Sequence, residues 1–117
     1  MKIFVTNGKG RVGKDTFQTM VINIAAQHNI KIEKLSSIDY IKNIAKTFGW
    51  NGEKELKDRK MLSDLKDILT EWGDIPHKEV CKKITELEKN NIQAIFIDSR
   101  EPADIQRFVD EYNACTI

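Results

Sequence analysis

Lys2-Ile3-Phe4-Val5-Thr6 runs through Asn7 into Gly8-Lys9-Gly10-Arg11-Val12-Gly13-Lys14-Asp15-Thr16, after which Phe17, Met20, Val21, Ile24 and Ala25 recur at helical spacing. An apolar strand, a glycine-rich turn and an amphipathic helix in that order match the phosphate-cradling pattern G-x-x-x-x-G-K-[ST]. Gly8, Gly13 and Lys14 hold its fixed positions; Asp15 stands where Ser or Thr is expected, and Thr16 follows it. Glycines let such a loop curl until successive N–H groups converge on phosphate oxygens. The first helical turn adds unpaired N–H groups and the positive end of the helix dipole. Lys14 would bring a mobile charge to the β- and γ-phosphates. The bland alternative is a turn that only connects strand to helix. Its placement between a strand and an amphipathic helix favours the phosphate loop.

Further along, Ile30 to Leu35 alternates apolar and charged residues, which predicts a strand toward one side of a sheet. Ser36, Ser37 and Asp39 offer helix-start chemistry, and Ile38, Ile41, Ile44, Ala45 and Phe48 form one face of a short helix. Gly49 and Gly52 bracket a break around Trp50. A long helix is expected from about Glu53 to Glu71, with a stripe of Leu56, Met61, Leu62, Leu65, Ile68, Leu69 and Trp72 and a stop at Gly73. Pro76 sits in the first turn of the next helix, whose buried face is Val80, Ile84 and Leu87 and which ends at Asn90-Asn91. Ile92 to Asp98 is almost wholly apolar, the mark of a central strand covered on both faces. Pro102 opens a last helix with Ile105, Phe108, Val109 and Tyr112 on one face, and Ala114 to Ile117 begins a further strand. Strands alternating with helices predict an α/β fold with a mostly parallel sheet and helices on both faces. A helical insert from Asp39 to Asn90 separates the second and third strands. All 117 residues are read as one domain.

The strand ending in Asp98 carries the second candidate site. An open α/β sheet binds ligands outside the carboxyl ends of its strands, so Asp98 and the Gly8–Lys14 loop would meet there. An acid at such a strand end helps to hold Mg²⁺ beside bound phosphates. The plainer role for Asp98 and Ser99 is to lead into the helix at Pro102. Arg100 would reach a phosphate with its planar fork. Arg59, within the long helix, is either a solvated charge or a clamp on a substrate phosphate.

Composition narrows the class. Charged residues make up 32% and apolar ones 40%, as in ordinary globular chains. The net charge of +1 gives no broad basic surface, so no nucleic-acid partner is expected. No apolar run approaches the roughly 18 residues of a membrane span, and the N-terminus has no signal-peptide pattern, so a cytoplasmic location is expected. Cys81 and Cys115 form no C-x-x-C pair. They are read as thiols of a reducing compartment, with neither His28 nor His77 at a metal-ligand spacing to them.

Together, GKGRVGKDT, the Asp39-to-Lys42 turn, Gly49-Trp50, DRKMLSDL and IDSREPADI resemble the deoxynucleoside monophosphate kinases of phages and bacteria. These belong to the P-loop nucleoside and nucleotide kinases. The GKD[ST] loop is typical of that group, so Asp15 becomes a family mark, and D-x-R followed by an acid is similar to its pattern. The resemblance implies a three-layer P-loop NTPase fold and transfer of the ATP γ-phosphoryl group to a nucleoside monophosphate with Mg²⁺. By matching positions, Gly8, Lys9, Gly10, Arg11, Val12, Gly13, Lys14, Asp15 and Thr16 would bind the donor phosphates. Lys14, Asp98 and Arg100 would serve the transfer. Asp15, Thr16 and Asp98 would share the metal role, and Lys42, Arg59 and Arg100 would grip the acceptor phosphate. The family continues past a strand like that at Ala114 with an arginine-bearing lid and a further strand, so a C-terminally short domain with slow or no turnover is expected. A homodimer stays open.

Other readings remain at this point. Gly8-x-Gly10-x-x-Gly13, with Glu33 about 20 residues on, matches a dinucleotide fingerprint. Lys9 occupies the extra-lysine position of a partitioning-type ATPase, though Arg11 replaces a glycine expected there. A nucleotide-binding module without turnover is the third.

Overall fold

The computed structural model describes residues 1–7 and 14–116, and for Asn7, Lys14 and Asp15 the backbone alone. The expected loop residues Gly8, Lys9, Gly10, Arg11, Val12 and Gly13 therefore lie outside the described residues. In chain order the elements are β1 (Lys2–Asn7), α1 (Lys14–Gln27), β2 (Ile32–Ser36), α2 (Asp39–Thr47), α3 (Leu56–Gly73), α4 (Ile75–Lys89), β3 (Ala94–Ser99), α5 (Pro102–Tyr112) and β4 (Cys115–Thr116).

The four strands form one sheet in the order β2-β3-β1-β4, and every pairing is parallel. β1 and β3 run together from Lys2↔Ala94 to Asn7↔Ser99. Alternation along these strands divides their side chains between two faces. Ile3, Val5, Ile95 and Ile97 pack with Val80 and Ile84 of α4 and Phe108 of α5. The other face carries Phe4 and Phe96, whose rings lie 5.9 Å apart, and Thr6 and Asp98, which meet Gln18 of α1. The step from β1 to β2 moves one way along the sheet and that from β3 to β4 moves the other. Right-handed crossovers then place α1 and α5 on opposite faces, as observed.

The mostly apolar β3 is central and the charged, alternating β2 is an edge, as their patterns predict. The helical insert forms as expected between β2 and β3, with a cluster of its own around Ile41, Ala45 and Leu62. Among the described residues no helix is long and apolar enough to cross a membrane.

Three expectations change. First, the insert's long helix begins at Leu56, because Glu55 and Asp58 form a reciprocal capping box that sets the start there. Of its expected stripe, Leu62 is buried and Met61, Leu65 and Leu69 pack on it, but Leu56 (85%), Ile68 (62%) and Trp72 (79%) are exposed. Second, Gly73 is the last helical residue, and the left-handed reversal falls on Asp74 (φ 54°). Asp74 tolerates that conformation better than most residues, and the Arg107 guanidinium grips its carboxylate with two 2.8 Å bonds. Third, α1 is rotated from its expected face. Gln18 and Ala25 are buried, whereas Phe17, Met20 and Ile24 are about half exposed. Gln18 is the anchor, because its amide donates to both Thr6 and Asp98 on the sheet, two bonds that an apolar side chain there could not make.

Candidate functional site

The switch between crossover directions lies at β1 and β3, which are neighbours with helices leaving to opposite faces. In sheets of this kind such a switch point, outside the carboxyl ends of the strands, is where a ligand crevice generally lies. β1 ends at Asn7 and β3 at Ser99, so the segments that follow them in sequence start from the same end of the sheet, the place such a crevice would occupy. This follows from the strand order alone.

Three side chains are tied together at the crevice. The Thr6 hydroxyl donates to Asp98 Oδ1 in a short hydrogen bond, with a longer one of 3.5 Å to the Ile97 carbonyl. Gln18 Nε2 donates to Asp98 Oδ1 at 3.0 Å and to Thr6 Oγ1 at 3.1 Å. Register explains the first pairing: Thr6 and Asp98 are cross-strand partners on one face. Gln18 reaches both because it sits one turn into α1, directly after the loop. The amide orientation is dictated by the carboxylate, which accepts but does not donate. Gln18 is wholly buried, and Asp98 is half-buried at the mouth. The Asp98 backbone carbonyl also receives Ser37 N–H, which ties the end of β2 to the same place.

Two buried polar atoms here have no hydrogen-bond partner among the described residues, Gln18 Oε1 and Ser99 Oγ. Such an atom costs about 1–3 kcal/mol if left dry. Both flank the carboxyl end of β3, where a ligand or ordered water would satisfy them. The ligand atoms that Thr6 and Asp98 bring together on the α1 face are oxygens, which suit a hard cation such as Mg²⁺, whereas Ser99 alternates to the other face.

The structure distributes the other predicted site residues unevenly. Lys14 and Asp15 begin α1 and Thr16 is exposed in its first turn. Arg100 is exposed two residues beyond Asp98. Lys42 is half-buried on α2, which follows β2 at the carboxyl edge, and Arg59 is exposed in the first turn of α3. The hydrogen bonds described for the Asp98 carboxylate come from Thr6 and Gln18.

The segment after Asp98 is braced from the insert. Arg107 clamps Asp74, and Lys66 of α3 binds Asp104 of α5 at 3.2 Å. The Arg107 hydrogen bonds hold the Asp74 carboxyl below the usual carboxylate range. Thr6 and Gln18 were missed in sequence because each sits inside an apolar pattern. The available signal was an amide seven residues before Ala25, on the face α1 turns to the sheet. An open depression of about 490 Å³ on the outer side of α1 is lined by Thr16, Thr19, Met20, Asn23 and Ile24. It holds no titratable group and is not the crevice.

Compared with the models of known protein families and with curated proteins, the chain matches none.

Proposed function

We propose that this protein is a P-loop nucleotide kinase-like enzyme of three-layer α/β build that binds ATP with Mg²⁺ and phosphorylates a nucleoside monophosphate, a deoxynucleotide in the closest reading of its motifs. The observation that carries the proposal is the position of Asp98. The strand order puts this acid and the exit of β1 into the glycine-rich segment at one crevice, with Thr6 and Gln18 orienting the carboxylate.

In this reading residues 8–13 and the N-terminus of α1 receive the donor phosphates through backbone N–H groups, and Lys14 neutralises the transferring group. Asp98 and Thr16 would hold the Mg²⁺, which when bound offsets charge on the phosphates. Thr6 and Gln18 keep the Asp98 carboxylate aimed before the nucleotide arrives, so little reorganisation is needed during transfer. Arg100 and Lys42, on segments that leave the carboxyl edge, would orient the acceptor phosphate. Arg59 joins them if the insert closes over the crevice. Phosphoryl transfer of this kind needs positioning and charge more than a general base.

The test is a coupled kinase assay with ATP–Mg²⁺ across the nucleoside monophosphates, alongside direct ATP and NAD binding. Transfer to one or a few monophosphates is expected, with both transfer and ATP affinity lost in Lys14→Ala. ATP binding without transfer reduces the reading to a nucleotide-binding module. NAD binding without ATP binding, or unchanged ATP affinity in Lys14→Ala, overturns it.

A further inference from the structure

Behind the sheet, on the face opposite α1, α4 and α5 bring together three metal-ligating side chains of different chemistry. His77 and Cys81 are four residues apart on α4 and so share one helical face. Glu111 comes from the last turn of α5. His77 Nε2, Cys81 Sγ and a Glu111 carboxylate oxygen all lie within 4.8 Å of one another. His77 Nε2 and Glu111 Oε1 are 3.1 Å apart. The sequence expectation that His77 and the cysteines share no ligand spacing is thereby corrected: the helix supplies the i, i+4 pair, and the neighbouring helix adds the third group.

We propose that His77, Cys81 and Glu111 form a site for a zinc-class divalent cation, with three protein ligands and a fourth position open to water. Tetrahedral bonds of the usual Zn–N, Zn–S and Zn–O lengths place ligand atoms about 3.3–3.8 Å apart. The His77–Glu111 separation is already near that range, and the remaining separations need a contraction of about 1.3 Å at most. One nitrogen, one sulfur and one oxygen make a borderline-soft set, which selects zinc-like ions over Mg²⁺ or Ca²⁺. The site is therefore chemically distinct from the oxygen-rich crevice at Asp98, and it does not depend on the kinase reading.

The surroundings suit a held cation. The His77 ring is buried and stacked on Phe108 at 5.1 Å, which leaves it little freedom to turn. Tyr112 neighbours Cys81, and burial holds its hydroxyl protonated, so it can donate to a metal-bound thiolate. Arg107 Nε donates to the other Glu111 oxygen at 3.4 Å, orienting the carboxylate from behind. Cys81 is half-buried and Glu111 exposed, which gives an ion a way in. Binding at Nε2 needs the His77 ring proton on Nδ1, so the ring changes tautomer, the His77–Glu111 hydrogen bond gives way to two metal bonds, and the Cys81 thiol proton goes to solvent. The bound ion would staple α5 to the insert helix α4, beside the Arg107–Asp74 clamp. The second acidic group, Glu53, Glu55 and Asp58, carries no such proposal: Glu55 and Asp58 are already committed to the α3 capping box.

The experiment is a Co²⁺ titration of the full chain carrying Cys115→Ser, which leaves Cys81 as the one thiol, followed by displacement with Zn²⁺. One equivalent should bind, with a thiolate-to-cobalt charge-transfer band that Zn²⁺ abolishes and a rise in melting temperature with Zn²⁺. Cys81→Ser, checked for folding by circular dichroism, should lose the band. Glu111→Gln changes an exposed group and keeps the fold; it should weaken affinity at least ~10-fold, the lower end of what a misplaced metal-site partner costs. Asp98→Asn should alter none of this. A chain that gives no saturable band overturns the proposal. So does a band that survives Cys81→Ser, an affinity unmoved by Glu111→Gln, or a band lost in Asp98→Asn.

Discussion

Replacing Gln18 with Leu should leave the protein folded while impairing the crevice. The wild-type amide donates one hydrogen bond to a hydroxyl and one to a carboxylate. Net contributions of about 1 and 1.5–3 kcal/mol, respectively, make the gross loss about 2.5–4 kcal/mol. Against this, Gln18 Oε1 is buried and has no partner among the described residues. Removing it recovers about 1–3 kcal/mol of desolvation penalty. Leucine also places apolar volume in a fully buried position. The expected net destabilisation is about 1 kcal/mol, read as a small shift of the urea midpoint with an unchanged slope. Asp98 keeps its bond from Thr6 but loses the Gln18 donor, so its carboxylate is less firmly aimed. Loss of such a supporting hydrogen bond typically costs 10–100-fold in metal affinity or activity. The assay is therefore a Mg²⁺ titration of ATP binding and turnover, run beside urea unfolding. A rise of about 10-fold or more in the Mg²⁺ requirement with near-normal stability is expected. Destabilisation above about 3 kcal/mol with an unchanged Mg²⁺ requirement would refute this account and make Gln18 a packing residue only.

The remaining expectations concern the frame around the crevice. Arg107→Lys loses the forked grip on Asp74, and because both side chains are about a third or more exposed, denaturant melts should register a loss of about 1 kcal/mol or less. The Arg107 hydrogen bonds to Asp74 and the His77 hydrogen bond to Glu111 lower those two carboxyls below their ordinary values; their stabilisation is complete above the unfolded carboxylate range and fades as pH falls through the folded values, so acid melts should show wild type losing its advantage over Arg107→Lys below about pH 4. Ile41→Ala empties a fully buried site in the insert core and should cost about 2–5 kcal/mol in urea melts, whereas Leu56→Ala, at 85% exposure, should stay within about 0.5 kcal/mol; equal effects would mean that the α3 stripe packs as its spacing alone suggests. Gly52 has φ 95° and open space where a Cβ would go, so Gly52→Ala should cost about 1 kcal/mol or more from backbone strain alone; a neutral result in thermal melts would show that the 49–52 break is not held in this conformation.

Element types were legible from local patterns because strands and helices have different hydrophobic periods. The β3 run Ala94 to Ile97 has no polar interruption, and that by itself marks a strand covered on both faces. Asp98, at the end of that run, could be picked out for the same reason. Helix orientation was less legible. In α1 the apolar residues Phe17, Met20 and Ile24 suggest one inward face, yet a buried amide chose another, because it donates to two polar groups on the sheet. In α3 the exposed Leu56, Ile68 and Trp72 continue an apolar stripe for which the insert offers no partner at those positions. Periodicity reports which residues are apolar; it does not report what stands opposite them.

The sequence by itself determined the alternation of strands and helices, the central place of β3, the acid at its end and the glycine-rich segment after β1, since each is written in consecutive residues. Only the tertiary structure decided the order β2-β3-β1-β4, the meeting of Thr6, Gln18 and Asp98, and the convergence of His77, Cys81 and Glu111. Those groupings join residues 12 to 92 positions apart in the hydrogen-bonded set and helices separated by a strand in the other. Such contacts depend on which strands become neighbours and how each helix turns on its axis, and both are settled by packing and by the need to pair buried polar groups.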